Sequence, residues 1–259
     1  MSERLPRRER GLIMRQRVGN QIYNVLTTLI RGIARFVARV EIIGVEHVPA
    51  EGPVVLICNH SHIADPPLLG SFSPRKVHTM AKRELFETPL IGWIFWAVGA
   101  FPVRRFSGDL GALRVARNYL RDGRVVMMYP EGTRNHGKGL IPALPGAAMV
   151  AILADAPIVP VAIEGSHAIR WKSIPFLWLL RRRPPIRITF GEPFRLERSE
   201  ASAQSAMAAT DLMMRKVAAL LSPQYRGAYG EHSEGTVVVA RATPDQRDQF
   251  EARRRSSRE

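Results

Sequence analysis

Asn59, His60, His62 and Asp65 fall within "CNHSHIADP", residues 58–66, at the end of the apolar run "VVLIC". Three arrangements use such residues. His–x–His–x–x–Asp can begin a metal site, a histidine with a carboxylate five residues on can form an acid/base pair, and an acidic residue before proline can cap a helix. A catalytic zinc wants three protein ligands with supporting partners, but His78, His136, His167 and His232 stand apart from any second His or Cys at useful spacing. The acid/base reading asks for less. A neutral imidazole takes a proton from a hydroxyl, and a neighbouring carboxylate holds the ring in the right tautomer. No serine sits in an elbow sequence to act as nucleophile, so the substrate must bring its own hydroxyl. The reaction implied is transfer of an activated group onto an alcohol.

A second stretch has the same form. "VVMMYPEGTRNHGKG", residues 125–139, is an apolar run that ends in Tyr129, Pro130, Glu131, Gly132, Thr133 and Arg134. Gly132 lets a backbone approach a ligand closely, while Thr133 and Arg134 can donate to phosphate oxygens, the arginine as a two-pronged fork. A third, "VGAFPVRR" at 98–105, delivers Arg104 and Arg105 at the end of another apolar segment. Taken singly, the second and third stretches read equally as a surface turn and as snorkelling arginines.

The elements that must hold these residues can be placed from periodicity. Strands are expected near 40–44, 54–58, 76–80, 100–103, 124–129, 157–163 and 186–190. Helices are expected near 66–71, 89–98, 109–121, 146–154 and 203–221, with Leu110, Leu113, Ala116 and Leu120 on one face of the third and Gly123 as its stop. The strands are apolar throughout rather than alternating. This predicts burial on both faces, hence an α/β fold with a mixed, mostly parallel sheet of about seven strands covered by helices. Asn59, His60 and Glu131 then emerge at the carboxyl ends of strands, where open α/β sheets bind ligands.

The order and spacing of four stretches resemble the lysophosphatidic acid acyltransferase (glycerolipid acyltransferase) family. They are Asn59-His60 with Asp65, Gly99–Val103 ending at Arg105, Pro130–Arg134, and Ile158–Val161. The resemblance covers about Val40 to Phe194, and "AKRELFETPLIGWI" from Ala81 looks like the family's link between its first two motifs. It implies transfer of an acyl chain from acyl-CoA or acyl carrier protein to the free hydroxyl of a lysophospholipid, most simply 1-acyl-sn-glycerol 3-phosphate, with no metal and no bound cofactor. Carried over, His60 is the general base and Asp65 orients it. Glu131, Gly132, Thr133 and Arg134 hold the acceptor's glycerol and phosphate, with Arg105 and Lys82 as further phosphate contacts. Asn59 shapes the turn or helps position the donor carbonyl. One departure bears on the acceptor head group: many relatives carry a basic residue near the position of Leu144, in "PALPGA".

Bulk properties set the surroundings. The 259 residues fit one large domain, expected over 40–222 between a basic N-terminal portion (1–39) and a polar, disordered tail (223–259). A single cysteine, Cys58, excludes an internal disulfide framework and suits a reducing compartment. The net charge of +15 predicts an anionic partner. No recognition helix or aromatic stacking platform accompanies the arginines, so an anionic membrane surface is expected rather than nucleic acid. The start of the chain lacks an apolar signal core. Its longest charge-free runs fall short of the ~20 residues that span a bilayer. Peripheral attachment at the cytoplasmic face is therefore expected, through "WKSIPFLWLLRRRPP" at 171–185 and an amphipathic helix over 15–38 with arginines at 31, 35 and 39, a helix that reads equally as core-packed with a solvated basic face. The Trp93–Trp96 region admits the same interfacial role, with a buried helix as the preferred reading.

Overall fold

The computed structural model describes residues 7–104, 109–169, 183–196 and 203–230. Seven strands form one sheet: β1 (Arg39–Ile43), β2 (Val54–Cys58), β3 (Val77–Lys82), β4 (Phe101–Val103), β5 (Val125–Met128), β6 (Ile158–Glu164) and β7 (Pro185–Phe190). Their order is β1-β7-β6-β2-β5-β3-β4. Every neighbouring pair is parallel except β6 with β7, which run antiparallel. Hence β2, β3, β4 and β5 all point the same way, and their carboxyl ends share one edge.

Both faces of the sheet are covered, as the unbroken apolar strands require. All five residues of β2 are fully buried, and their side chains alternate between two cores. Val55 and Ile57 join Val126, Met128, Ile158 and Ala162 beneath α4 (Leu110–Arg121), α5 (Gly146–Ala154) and α6 (Ala203–Leu220). Val54, Leu56 and Cys58 join Met127, Val159 and Ile186 beneath α2 (Asp65–Phe72) and the end of α1 (Arg7–Val37). Each such Val, Leu or Ile is worth about 1.5–3 kcal/mol of burial, so β2 is the most firmly held strand from which a loop could spring.

Four expectations change. The helix α1 starts at Arg7 rather than near residue 15. Its buried face is Tyr23, Thr27, Ala34 and Ala38, small or hydroxylated residues that fit closely against α2, while Val25, Leu29, Ile33 and Phe36 point outward. The tyrosine hydroxyl donates to the Gly70 carbonyl at 2.9 Å, and the Arg31 guanidinium donates to that of Ser71. Helix α4 buries Ala112, Ala116 and Leu120, and Leu110 lies off that face, two-thirds exposed. At about 100° per residue it points well away from the other three. The segment "PLIGWIFWA", α3 (Pro89–Ala97), is not a buried helix: within it only Gly92 is buried. Finally, the tail does not begin at Pro223. Two short 3-10 turns carry the chain to Gly230, Tyr229 is 4% exposed in the core, and its hydroxyl accepts from the Ala143 N–H. The Leu140 N–H donates to the Tyr225 carbonyl and the Ala228 N–H to that of Leu140, so this stretch is tied down by backbone pairing. Residues 171–182 and 231–259 lie outside the described residues.

Candidate active site

β2 ends at Cys58, and the next residue already substitutes for a strand. The Asn59 amide donates to the Ile163 carbonyl at 2.9 Å, and its oxygen accepts from the Ile163 N–H at 2.8 Å. Asn59 is 2% exposed, and both polar atoms of its side chain are engaged by the Ile163 backbone, which shapes the turn. His60 follows, 7% exposed, with Nδ1 2.9 Å from Asp65 Oδ2. The same Oδ2 accepts from the backbone N–H groups of Ser61 and His62, each at 2.7 Å.

These bonds bear on the three uses of the motif. Asp65 opens α2, but it does not cap that helix: its carboxylate folds back onto the loop that precedes it. Asp65 Oδ2 is committed to three donors, and this holds the carboxylate against the imidazole. Hydrogen bonding at Nδ1 places the ring proton there and leaves Nε2 as the acceptor. The Tyr129 ring lies against the imidazole, centroids 4.4 Å apart.

Glu131 is turned inward and is 3% exposed. Its Oε1 accepts the His60 N–H at 2.8 Å, its Oε2 the Ile141 N–H at 3.0 Å, and Asn135 Nδ2 bridges both oxygens. The Asn135 N–H in turn donates to the His60 carbonyl at 2.7 Å. Burial pushes the Glu131 carboxyl up to about 7, against the pull of the N–H groups of His60 and Ile141. Gly132 sits at φ 67°, a left-handed turn that suits glycine, and brings the chain round to a half-buried Thr133 and an exposed Arg134.

Arg134 and His167 both act electrostatically on His62. Burial above all presses the His62 ring toward its neutral form; the Asp65 carboxylate opposes this, and the Arg134 charge adds to it. The sequence set His167 aside as isolated. It arrives on the turn after β6, and its ring fills the space over Gly137, where an added Cβ would come within 2.6 Å. Lys82 ends β3 at the shared strand edge, exposed, with Nζ 3.7 Å from Glu84. Arg105 lies outside the described residues. Its neighbour Arg104 follows β4 at the same edge. Asn135, Tyr129 and His167 were given no site role from sequence, because each reaches the site through contacts with distant parts of the chain.

The Acyltransferase family model matches residues 39–164, the stretch that builds this site. A 1-acyl-sn-glycerol-3-phosphate acyltransferase of Bacillus subtilis is 31% identical over 145 residues, 56% of this chain and 72% of the relative. The chain belongs to the acyltransferase family. Human 1-acyl-sn-glycerol-3-phosphate acyltransferase alpha is 36% identical to this acyltransferase over 131 residues, 49% of the chain and 46% of the human protein, so the chain spans about half the length of that relative. The crystal structure of PlsC, the 1-acyl-sn-glycerophosphate (LPA) acyltransferase of Thermotoga maritima, has the same fold at a TM-score of 0.58 and 21% identity, covering 84% of this acyltransferase and 85% of PlsC.

Proposed function

We propose that this acyltransferase moves a fatty acyl chain from acyl-CoA or acyl carrier protein to the free hydroxyl of 1-acyl-sn-glycerol 3-phosphate, giving phosphatidic acid. The observation that carries the mechanism is the buried His60–Asp65 pair at 2.9 Å. His60 Nε2 takes the acceptor's hydroxyl proton as that oxygen attacks the thioester carbonyl. Asp65 keeps the ring oriented and offsets the imidazolium charge. The tetrahedral intermediate collapses with loss of the thiolate, which receives the proton back from Nε2. Because a thiolate leaves readily, no covalent acyl-enzyme is required. The acceptor phosphate lies on Thr133 and Arg134 beside the turn at Gly132, with Arg105 and Lys82 as further cations at the same edge. No metal or bound cofactor takes part.

The substrates live in bilayers, so the enzyme works as a peripheral protein on an anionic membrane surface, at its cytoplasmic face. Supporting this reading, α1 carries its apolar stripe outward, and no helix among the described residues is long and apolar enough to cross a membrane. Each basic residue close to an anionic surface adds roughly 1 kcal/mol.

The test is acyl transfer from labelled acyl-CoA, then acyl carrier protein, to a panel of lysophospholipids, with wild type and His60→Ala in parallel. Transfer to lysophosphatidic acid that disappears in the variant supports both chemistry and acceptor. Transfer confined to another head group would overturn the acceptor and point to Leu144, whose N–H donates to the Pro130 carbonyl beside the motif at 2.8 Å. No transfer from either donor would overturn the assignment.

A further inference from the structure

The helix α3 is nine residues long, carries no charge and buries only Gly92, although the Phe86 ring of the preceding turn meets those of Phe95 and Trp96. Leu90 is 70% exposed, Trp93 56% and Trp96 57%, with Ile91 and Ile94 also open to solvent. Burying side chains of this size is worth several kcal/mol in total, so leaving them exposed is a cost that a partner must relieve. Leu85, in the turn that leads to α3, is exposed as well. On its inner side α3 leans on α1, where the Ala97 carbonyl is 4.0 Å from the place a Gly19 Cβ would take. Along that neighbouring helix Val18, Val25, Leu29 and Ile33 are likewise exposed. Two adjoining helices thus present apolar side chains outward.

What covers them follows from charge and position. From Gly11 to Val40 the chain has no acidic residue and five arginines, and from Thr88 to Val103 it has no charge at all. A surface of that kind complements anionic lipid: apolar side chains enter the acyl region while arginines meet the head groups. Indoles bordered by aliphatic residues suit the boundary, where the ring is buried and its N–H stays wet. Position agrees. α3 leaves β3 at the edge where β2 delivers His60, and it returns as β4, which ends beside Arg104.

We propose that α3, through Leu90, Trp93, Ile94 and Trp96, is a second membrane-insertion element beside α1, and that it seats the active-site edge on an anionic leaflet. The inference rests on the reading of the chain as an enzyme of bilayer substrates, but it is tested separately. The full chain with Trp171→Phe and Trp178→Phe keeps Trp93 and Trp96 as its only indoles. With phosphatidylcholine–phosphatidylglycerol vesicles, their emission shifts to the blue and is quenched by lipids brominated along the acyl chain. In the otherwise wild-type chain, Trp93→Ser with Trp96→Ser weakens partitioning onto those vesicles at least about tenfold. Transfer to a short-chain acceptor below its micelle concentration stays at the wild-type level, which shows that the variant is folded. Unquenched indoles, or wild-type partitioning by the double variant, would overturn the proposal. So would a dimer that the double variant dissolves while vesicle binding stays unchanged, since a second copy would then cover the face. Quenching in a protein that transfers no acyl group would support insertion and sink the catalytic reading instead.

Discussion

The His60 backbone N–H donates to Glu131 Oε1 at 2.8 Å across 71 residues of chain. One buried carboxylate therefore joins the loop after β2 to the loop after β5, and Asn135 closes the link from the other side through the His60 carbonyl. The imidazole is held at its side chain by Asp65 and at its backbone by this brace.

Glu131→Gln removes an acceptor that three N–H donors use. The amide can no longer accept through both of its terminal atoms, which leaves a buried donor unpaired at about 1–3 kcal/mol. Thermal unfolding should register that loss. The kcat should fall at least about tenfold with little change in the acceptor KM, because the residue positions the base without touching substrate. A KM effect as large as the kcat effect would return Glu131 to the acceptor site.

Asp65→Asn keeps the shape and reverses the hydrogen-bond logic at Nδ1. Wrong-tautomer histidines in comparable pairs lose about 10⁴-fold in kcat, and a loss of about 10³–10⁴-fold is expected here. His60→Ala should fall by at least about 10²–10⁴-fold, the usual contribution of a positioned base. Steady-state kinetics on the soluble short-chain acceptor measures both without interference from membrane binding.

Two buried groups make stability depend on pH in opposite senses. The Glu131 carboxyl is raised by burial to about 7, so between its ordinary value of 4.5 and 7 the folded chain holds the extra proton. Its contribution is full below 4.5 and is lost as pH rises through about 7. The His78 ring is lowered by burial to about 4 from 6.5, and there the unfolded chain holds the extra proton. That contribution is full above 6.5 and is lost as pH falls toward 4. Each amounts to at most about 3 kcal/mol. In denaturant titrations from pH 7.5 to 5, the destabilisation caused by Glu131→Gln should grow as pH falls, and that caused by His78→Gln should shrink. The opposite trend in either series would contradict the burial that causes it.

Arg134→Ala tests the acceptor contact. A charge-assisted bond to phosphate is worth about 1.5–3 kcal/mol, so the acceptor KM should rise roughly 10- to 100-fold while the donor KM holds. Arg134→Lys should recover part of the loss, since it restores charge without the fork.

Strands were the legible part of this chain because the sheet is buried on both sides: "VVLIC" and "VVMM" admit little else, and the loops that carry the motifs start where they stop. The His60–Asp65 pair was legible for the same reason, being local, five residues apart in one loop. The inward turn of Glu131 was not, since it depends on Asn135 and Ile141 closing around the carboxylate, and both look ordinary in sequence. The orientation of α1 was left open by its own periodicity. An apolar stripe and a stripe of Tyr23, Thr27, Ala34 and Ala38, spaced by four and seven residues, both suit a helix face, and the second, mostly small, took the inner side. α3 misled for a related reason: "PLIGWIFWA" has the composition of a core helix, and only its neighbours reveal that no core lies over it.

Asn59 reproduces, with a carboxamide, the donor and acceptor that a further peptide of β2 would have offered to Ile163. The sheet is thus completed by a side chain at the point where the main chain has already turned away. Neither of its nearest chemical relatives can stand in. Aspartate would set a second oxygen against the Ile163 carbonyl, and glutamine would carry the amide one methylene beyond its partner. One functional group thus begins the turn toward His60, and the Glu131 brace takes hold at the next peptide.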